Sequence, residues 1–332
     1  MAVTVTDLGR ALHAIMRANS VTDAYHTDVV KAYPAVAALL KGAIDTGGWL
    51  SPSASQFGDL IATAPSRSIL AAIDAVSPFR RSKPGVDVLV SMDRPAAAWR
   101  VETQPIAVTN WNFTTVRLTG DKSIAGIVVT SVEASKELGP EFTRQISNDA
   151  ASEINYAESS ALLDVSNDGT GTAPASITSS GIIVESTGAD AASLRADLNT
   201  LLSQYRGDLS RAVWAVSSAT AVRLALAGDS LGDADVNMTG GFFAGLPLCS
   251  ANGVPDNQVS LIDASGTVLF DGGVSIDVSR NALLKNGETE ILNLYQGNYL
   301  GYKFVRVLDW ETGRPDSVAS LVGIPWTATP AP

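Results

Sequence analysis

Across 332 residues there is one cysteine, there are two histidines, and charged residues make up only 17%. The single cysteine, Cys249, excludes an intrachain disulfide. Its setting, Gly245-Leu-Pro-Leu-Cys249, reads as a small buried apolar position rather than a reactive thiol, which fits a chain made in a reducing compartment. His13 and His26 both fall near the N-terminus. An exposed helical imidazole is ordinarily just solvated, so histidine acid–base chemistry has little to draw on. There is no Gly-x-Ser-x-Gly elbow, no phosphate loop ending in Lys and no dinucleotide glycine fingerprint. No apolar run reaches the roughly 20 residues needed to cross a bilayer. The start, Met1-Ala-Val-Thr, lacks the basic and apolar regions of a secretory signal. A membrane partner is therefore not expected.

What is present is apolar and acidic. Hydrophobic residues reach 45%, and the formal net charge is −11 with a pI near 4.6. Surface that would normally carry Lys and Glu is expected to lie against something else. An acidic chain repels phosphate backbones, which disfavours sequence-independent nucleic-acid binding, although a container wall tolerates that sign of charge. Asp229, Asp233, Asp235 and Asn237 superficially resemble a calcium loop. Met238 stands where the turn glycine belongs and Ala244 where the closing Glu belongs, so neither metal nor cofactor is expected.

The order of elements is mixed α and β. Leu8, Leu12, Ile15 and Met16 fall at helical spacing within an N-terminal arm that ends at the Thr46–Pro52 loop. From about Ala75 to Gly120, Pro78, Pro84, Pro95 and Pro105 alternate with strand-like runs, Val86–Val90 and Asn112–Leu118. This reads as a long two-stranded excursion, and such a ribbon is marginal in water without a surface to lie on. Next comes a nearly continuous apolar strand, Ile124–Val132, then a short acidic turn and one long helix. The helix is expected to start near Pro140, with Phe142, Ile146, Ala150, Ile154, Ala157 and Ala161 as its apolar stripe. Arg144, Asn148, Glu153 and Glu158 are expected on its wet side.

A polar exit follows, Ser166-Asn-Asp-Gly-Thr-Gly-Thr-Ala-Pro174. Gly169 and Gly171 lack a following helix, so a tight turn is the better reading than a phosphate cradle. A second helix is expected over Ala191–Tyr205 with Leu194, Leu198, Leu201 and Leu202 inward. Ala212–Val216 reads as a buried strand and Ala219–Ala227 as a short helix. Later strands are expected at Leu246–Cys249, Val259–Ile262, Val268–Phe270, Val274–Val278, Tyr302–Leu308 and Val318–Ile324. Asp271-Gly-Gly273 is read as a hairpin turn between two of them. Arg80, Arg81 and Lys83 form the clearest basic cluster, read either as a solvated loop or as a contact with an acidic neighbouring subunit. Trp99, Trp111 and Phe113 are expected to pack at the base of the ribbon rather than stack on nucleic-acid bases.

Several segments, taken in order, resemble the major capsid proteins of tailed bacteriophages with the HK97-like fold. They are Ala97-Ala-Trp-Arg-Val-Glu102, Phe113-Thr-Thr-Val-Arg-Leu118, Lys122-Ser-Ile-Ala-Gly-Ile-Val-Val-Thr-Ser131, Lys136-Glu-Leu138, Ala212-Val-Trp-Ala-Val-Ser217, Gly245-Leu-Pro-Leu248 and Phe270-Asp-Gly-Gly273. The resemblance covers roughly residues 65 to 325, and it lies in their order and spacing.

That resemblance implies an α+β capsid fold with an N-terminal arm (1–65) and an extended loop with flanking strands (66–122). It further implies a peripheral domain with a long spine helix (123–209 and 301–332) and an axial domain (210–300). It implies a structural, non-enzymatic subunit that self-assembles through hexamers and pentamers into an icosahedral head. Such a head encloses double-stranded DNA without sequence-specific binding, and the virion assembles in the bacterial cytoplasm. Arg80, Arg81, Lys83, Trp99 and Glu102 become candidate intersubunit contacts. Scaffolding, portal and decoration proteins are possible partners. The chain begins at Met1 with the arm-like region itself, so scaffolding is expected from a separate protein or from none. Neither Lys83 nor Lys122 matches a crosslinking motif. Two other readings remain: an encapsulin-like nanocompartment shell that holds enzyme cargo, and a cytoplasmic α+β enzyme.

Overall fold

The computed structural model describes residues 68–92, 99, 102, 108, 111–188, 190–226, 234–286 and 290–326. The expected arm with His13 and His26, Asp229 and Asp233, and the last six residues lie outside the described residues. The chain forms two compact units, each assembled from three stretches of sequence. One comprises Met1–Ala71, Ser123–Glu158 and Asp271–Leu308; the other comprises Ala72–Lys122, Ser159–Phe270 and Asp309–Pro332. These cuts fall at other places than the expected borders after residues 209 and 300.

The first unit is built on long strands. β4 (Ser123–Ser131) runs antiparallel to β14 (Tyr299–Thr312), in register from Tyr299↔Ser131 to Val307↔Ser123. β11 (Thr267–Ser279) lies on the other side of β14. Every second residue of β14 is buried, Leu300, Tyr302, Phe304 and Arg306, while Lys303 is exposed, so one face of the ribbon makes core. β12 (Leu283–Asn286) and β13 (Glu290–Asn293) form a small antiparallel pair, Leu284 opposite Leu292. β11 is continuous through Asp271-Gly-Gly273, where a hairpin turn was expected. Gly273 adopts φ 81° and donates its N–H to Asp271 Oδ1 at 2.9 Å, which kinks the strand locally instead of reversing it.

β4 passes directly into the long helix α2 (Val132–Leu163). The helix therefore starts at Val132 and not near Pro140. Ser131 Oγ accepts the Ala134 N–H at 3.1 Å as an N-cap. Asn298 secures the same end. Its backbone carbonyl accepts the Val132 N–H at 3.0 Å, and its side-chain amide donates to Glu133. Asn298 sits at φ 53°, a left-handed conformation that Asn tolerates better than most residues. Glu133 also places a negative charge at the positive end of the helix dipole.

The buried face of α2 is rotated from the expected stripe. Ile146, Ser147, Ala151, Ile154, Asn155 and Glu158 are buried, whereas Ala157 is exposed and Phe142, Ala150 and Ala161 are half-buried. Glu158, assigned to the wet side by its charge, is interior because a cation meets it there.

The second unit holds a seven-stranded mixed sheet, in the order β5 (Ile182–Glu185), β15 (Val318–Val322), β10 (Val259–Ile262), β6 (Val213–Ser217), β9 (Leu246–Ala251), β8 (Gly240–Phe243) and β7 (Ala234–Asn237). This one sheet draws strands from both of the expected domains. β6 is buried along its whole length, as a central strand of near-continuous apolar sequence should be. One face is covered by Leu194, Leu198 and Leu201 of α3 (Ala191–Gln204) and by Ala221 and Leu224 of α4 (Ser218–Leu226). They pack with Trp214, Phe243, Leu248, Val259, Leu261 and Leu321. Trp214 meets Phe243 edge-on at 5.7 Å between ring centroids.

The polar exit after α2 is a cap. The last carbonyls of a helix have no intrahelical donor and must find one elsewhere. Asn167 Nδ2 donates to the Ala161 carbonyl at 2.8 Å and Ser176 Oγ to that of Leu162 at 2.9 Å. Thr178 Oγ1 and Gln258 Nε2 both donate to the Leu163 carbonyl, at 2.9 and 2.7 Å. Gly169, at φ 79°, makes the turn that brings these groups back, in agreement with the tight-turn reading.

Candidate intersubunit surfaces

The ribbon is formed by β2 (Asp87–Ser91) and β3 (Phe113–Arg117), paired from Asp87↔Arg117 to Ser91↔Phe113. It continues toward its tip through the Met92 N–H to Asn112 carbonyl bond at 3.0 Å and Trp111 Nε1 to Ser91 Oγ at 2.6 Å. The alternation of strand side chains splits it into two faces. Val90 and Val116 are buried and join Leu118 and Val268, with Val88 and Phe270 packed against them. Gly313 makes this close approach possible, since a Cβ there would lie 2.7 Å from that of Val90. The surface that the ribbon needs is thus supplied first by its own chain. The other face is exposed and carries large apolar groups: Leu89 is 60% exposed, and Phe113 and Trp111 are exposed too. Trp111 and Phe113 lie with their ring centroids 4.7 Å apart, but toward the tip of the ribbon and half exposed rather than at its base as expected, because Phe113 pairs with Ser91 at the end away from Asp87 and Arg117.

The ribbon root is held by one carboxylate. Asp309 Oδ2 accepts the backbone N–H of Thr119 at 3.1 Å and of Gly120 at 2.9 Å. Gly120 (φ 69°) sits against Pro84, where a Cβ would approach to 2.5 Å. Nearby Glu311 is pushed upward in pKa by burial and then by the charge of Asp309.

The sequence-derived contact residues are placed as follows. Arg80 and Arg81 form β1, which pairs in parallel with the start of β11. Arg80 Nη1 donates to the Leu89 carbonyl at 2.6 Å, which ties the ribbon to β1. Arg81 pairs with Asp74 of α1 (Ile69–Val76) at 2.7 Å. Lys83 is exposed in the following loop. Trp99 and Glu102, in the segment joining β2 to β3, are both exposed. The structure therefore brings Arg80 and Arg81 together at the ribbon root and gives both partners within their own chain.

A buried ionic cluster escaped the sequence reading. Arg306 Nη1 donates to Glu158 Oε2, and Arg306 Nη2 approaches Asp271 Oδ2 at 3.3 Å. Ser68 Oγ donates to Glu158 Oε1 at 2.5 Å while accepting the Ala71 N–H at 3.1 Å, so the cap of α1 is anchored on the same carboxylate. Burial raises the Glu158 pKa, and Arg306 and then Ser68 pull it back. Its signal was present in two periodicities. Arg306 occupies the inward row of Tyr302 and Phe304 on β14, and Glu158 lies one turn from Ile154 on α2. Each puts a charge in an apolar row.

Among the described residues no group of three or more His, Cys, Asp or Glu side chains could hold a metal ion. Asn237 Oδ1 is engaged by the Thr239 N–H at 2.9 Å and the Thr239 hydroxyl at 2.6 Å, a local turn rather than half of a calcium loop. Cys249 is buried, as expected. No described helix is long and apolar enough to cross a membrane.

No family model matches the sequence. A capsid polyprotein of Pseudomonas phage PAJU2 is 26% identical over 315 residues, which is 88% of this chain. The chain spans about half the length of that relative, 47%. Among solved structures, one from Mycobacterium phage Adephagia matches with a TM-score of 0.57 at 15% identity, covering 81% of this chain and 93% of its own. One from Gordonia phage Cozz matches with a TM-score of 0.54 at 17% identity, covering 78% and 87%. The capsid of a native GTA particle matches with a TM-score of 0.50 at 14% identity, covering 78% and 91%. The chain has the HK97-like capsid fold. The α+β expectation holds.

Proposed function

We propose that this chain is the major shell subunit of a tailed-phage head. It acts as a structural rather than catalytic protein, assembling through hexamers and pentamers around double-stranded DNA in the virion. The observation that carries this reading is the match to a capsid over most of both chains, joined to 26% identity with a phage capsid polyprotein. The ribbon's exposed apolar face adds weight, because Leu89, Trp111 and Phe113 lie on an element already packed on its other side. Closed shells rest on large apolar interfaces, and a chain with 17% charged residues is suited to them. In this reading Arg80, Arg81, Lys83, Trp99 and Glu102 contact a neighbouring subunit. Residues 123–209 and 301–332 serve as the peripheral domain, and residues 210–300 as the axial domain. Portal, scaffolding and decoration proteins would complete the head.

Electron microscopy of the purified protein under assembly conditions tests the proposal. Shells, or rings of five and six, are expected. A persistent monomer at high concentration overturns it. Nuclease-protected DNA in particles from infected cells separates a phage head from a cargo-holding compartment, which would instead contain protein.

A further inference from the structure

We propose that Asn252 is a site of spontaneous covalent modification, where the carboxamide closes on Gly253 as a cyclic imide and opens to aspartate or isoaspartate. The inference does not depend on the shell reading. Asn252 and Gly253 form the turn that follows β9 on the way to β10. Asn252 is exposed, and Gly253 lies at φ 92°. Among the described residues neither the Asn252 carboxamide nor the Gly253 N–H has a hydrogen-bond partner. The carboxamide can therefore turn toward the next peptide nitrogen on the fast timescale of exposed side chains. Glycine places no Cβ beside that nitrogen, so the approach is unhindered.

Asn or Asp precedes glycine also at Asp168, Asp271 and Asn286. The fold disarms both aspartates. Asp168 Oδ1 accepts the N–H and the hydroxyl of Thr170 at 3.0 and 2.7 Å, and the Gly169 N–H is given to Asn167 Oδ1 at 3.3 Å. Asp271 Oδ1 holds the Gly273 N–H at 2.9 Å, and its Oδ2 lies 3.3 Å from Arg306 Nη2. The glycine after Asn286 lies outside the described residues. Among the described pairs, Asn252-Gly253 alone leaves both reacting groups unengaged.

The chemistry needs only water and hydroxide. Hydroxide takes the Gly253 amide proton, and the nitrogen attacks Asn252 Cγ. The N–Cγ bond forms, the Cγ–Nδ2 bond breaks, and Nδ2 takes a proton from water and leaves as ammonia, which restores the hydroxide. Water then adds to one imide carbonyl. Opening on one side gives aspartate in the original main chain, and on the other isoaspartate, whose main chain runs through Cγ. Either product adds a carboxylate to a chain of formal net charge −11 and so adds to repulsion between copies. The turn is held on both flanks. Ala251 pairs with Ser217, the Asp256 carbonyl accepts Thr220 Oγ1 and Trp326 Nε1, and the Asn257 carbonyl accepts the Ile324 N–H at 3.2 Å. Conversion therefore changes the tip and leaves the strands in place.

Incubation of the folded wild-type protein in mildly alkaline buffer, followed by isoelectric focusing and peptide mapping, tests the site. The expected result is a single-charge acidic shift, with the amide-to-acid mass gain on the peptide that contains Asn252 and a rate that rises in proportion to hydroxide. Asn252→Gln, whose longer side chain must close a larger ring, should lose that acidic species. An acidic species of wild-type yield in Asn252→Gln overturns the inference. Conversion at other asparagines with Asn252 unchanged overturns it as well. A urea-unfolded chain run alongside separates fold from sequence. If Asn252 converts there but stays an amide in the folded protein, the turn protects the pair and the inference fails.

Discussion

Arg306 donates a hydrogen bond to Glu158 with only 3% and 0% of the two side chains exposed. Removing one partner strands the other charge in the interior, a loss of about 3–5 kcal/mol. Urea titration of Glu158→Ala and Arg306→Met should show that loss singly. The paired replacement Glu158→Leu with Arg306→Met should recover much of it, and a paired loss equal to the sum of the singles would contradict this account.

The same group sets a pH dependence. Burial raises Glu158 above its ordinary 4.5, so the folded state holds that proton more tightly than the unfolded chain. Its contribution to stability is full below about pH 4.5 and is lost as pH rises through the folded value. Asp121, Asp168 and Asp190 are lowered, chiefly by hydrogen bonds from Thr119, Thr170 and Ser193, and act in the opposite sense, losing stability only as pH falls through their folded values, below 3.8. Unfolding free energy measured between pH 4.5 and 8 should decline less steeply in Glu158→Gln than in wild type. Glu311→Gln, which removes the other raised carboxyl at an exposed position, serves as the comparison.

The ribbon's two faces predict two phenotypes. Val116→Ala empties part of the cluster under the ribbon and should lower subunit stability by about 1–2 kcal/mol. Leu89→Ser should leave the melting temperature unchanged and reduce shell yield. Deleting Ala75–Gly120 outright is a poorer test, because it removes Ser77, whose hydroxyl accepts the Ala264 N–H at 2.9 Å, and the buried Phe79.

Arg81 and Asp74 form an exposed pair, 59% and 24%, of the kind worth about 0–1 kcal/mol. Arg81→Ala should barely change subunit unfolding. A loss of assembly in that variant would locate the residue at a contact between subunits.

Gly169→Ala tests the cap of α2. The residue is at φ 79°, and a Cβ would lie 2.9 Å from the Ala175 Cβ and backbone nitrogen. A loss of about 1–2 kcal/mol is expected from the conformation alone, read as a lowered melting temperature.

Where neighbouring residues in sequence decide the outcome, the sequence was a good guide. The ribbon strands follow from period-2 alternation between prolines, and α3 follows from Leu194, Leu198 and Leu201 on one side. The failures are places where a distant group reverses a local rule. Glu158 looked solvated until Arg306, on a strand far along the chain, accounted for its burial. Asp271-Gly-Gly273 has turn chemistry, yet the Asp271 side chain spends it on Gly273 within one continuous strand. Gly139-Pro140 resembled a helix start because nothing nearby announces that Asn298 caps the helix at Val132. β4 was legible as a strand from its apolar run, but its place at the sheet margin depends on β14, far along the chain.

Helices ordinarily melt from their ends, but α2 is fastened at both. Asn298 and Ser131 close its start, and Asn167, Ser176, Thr178 and Gln258 occupy its last carbonyls. Fraying at its start is therefore suppressed, and the amides of Val132 and Ala134 are expected to exchange as slowly as those of a helix interior rather than at the rate of a loose end.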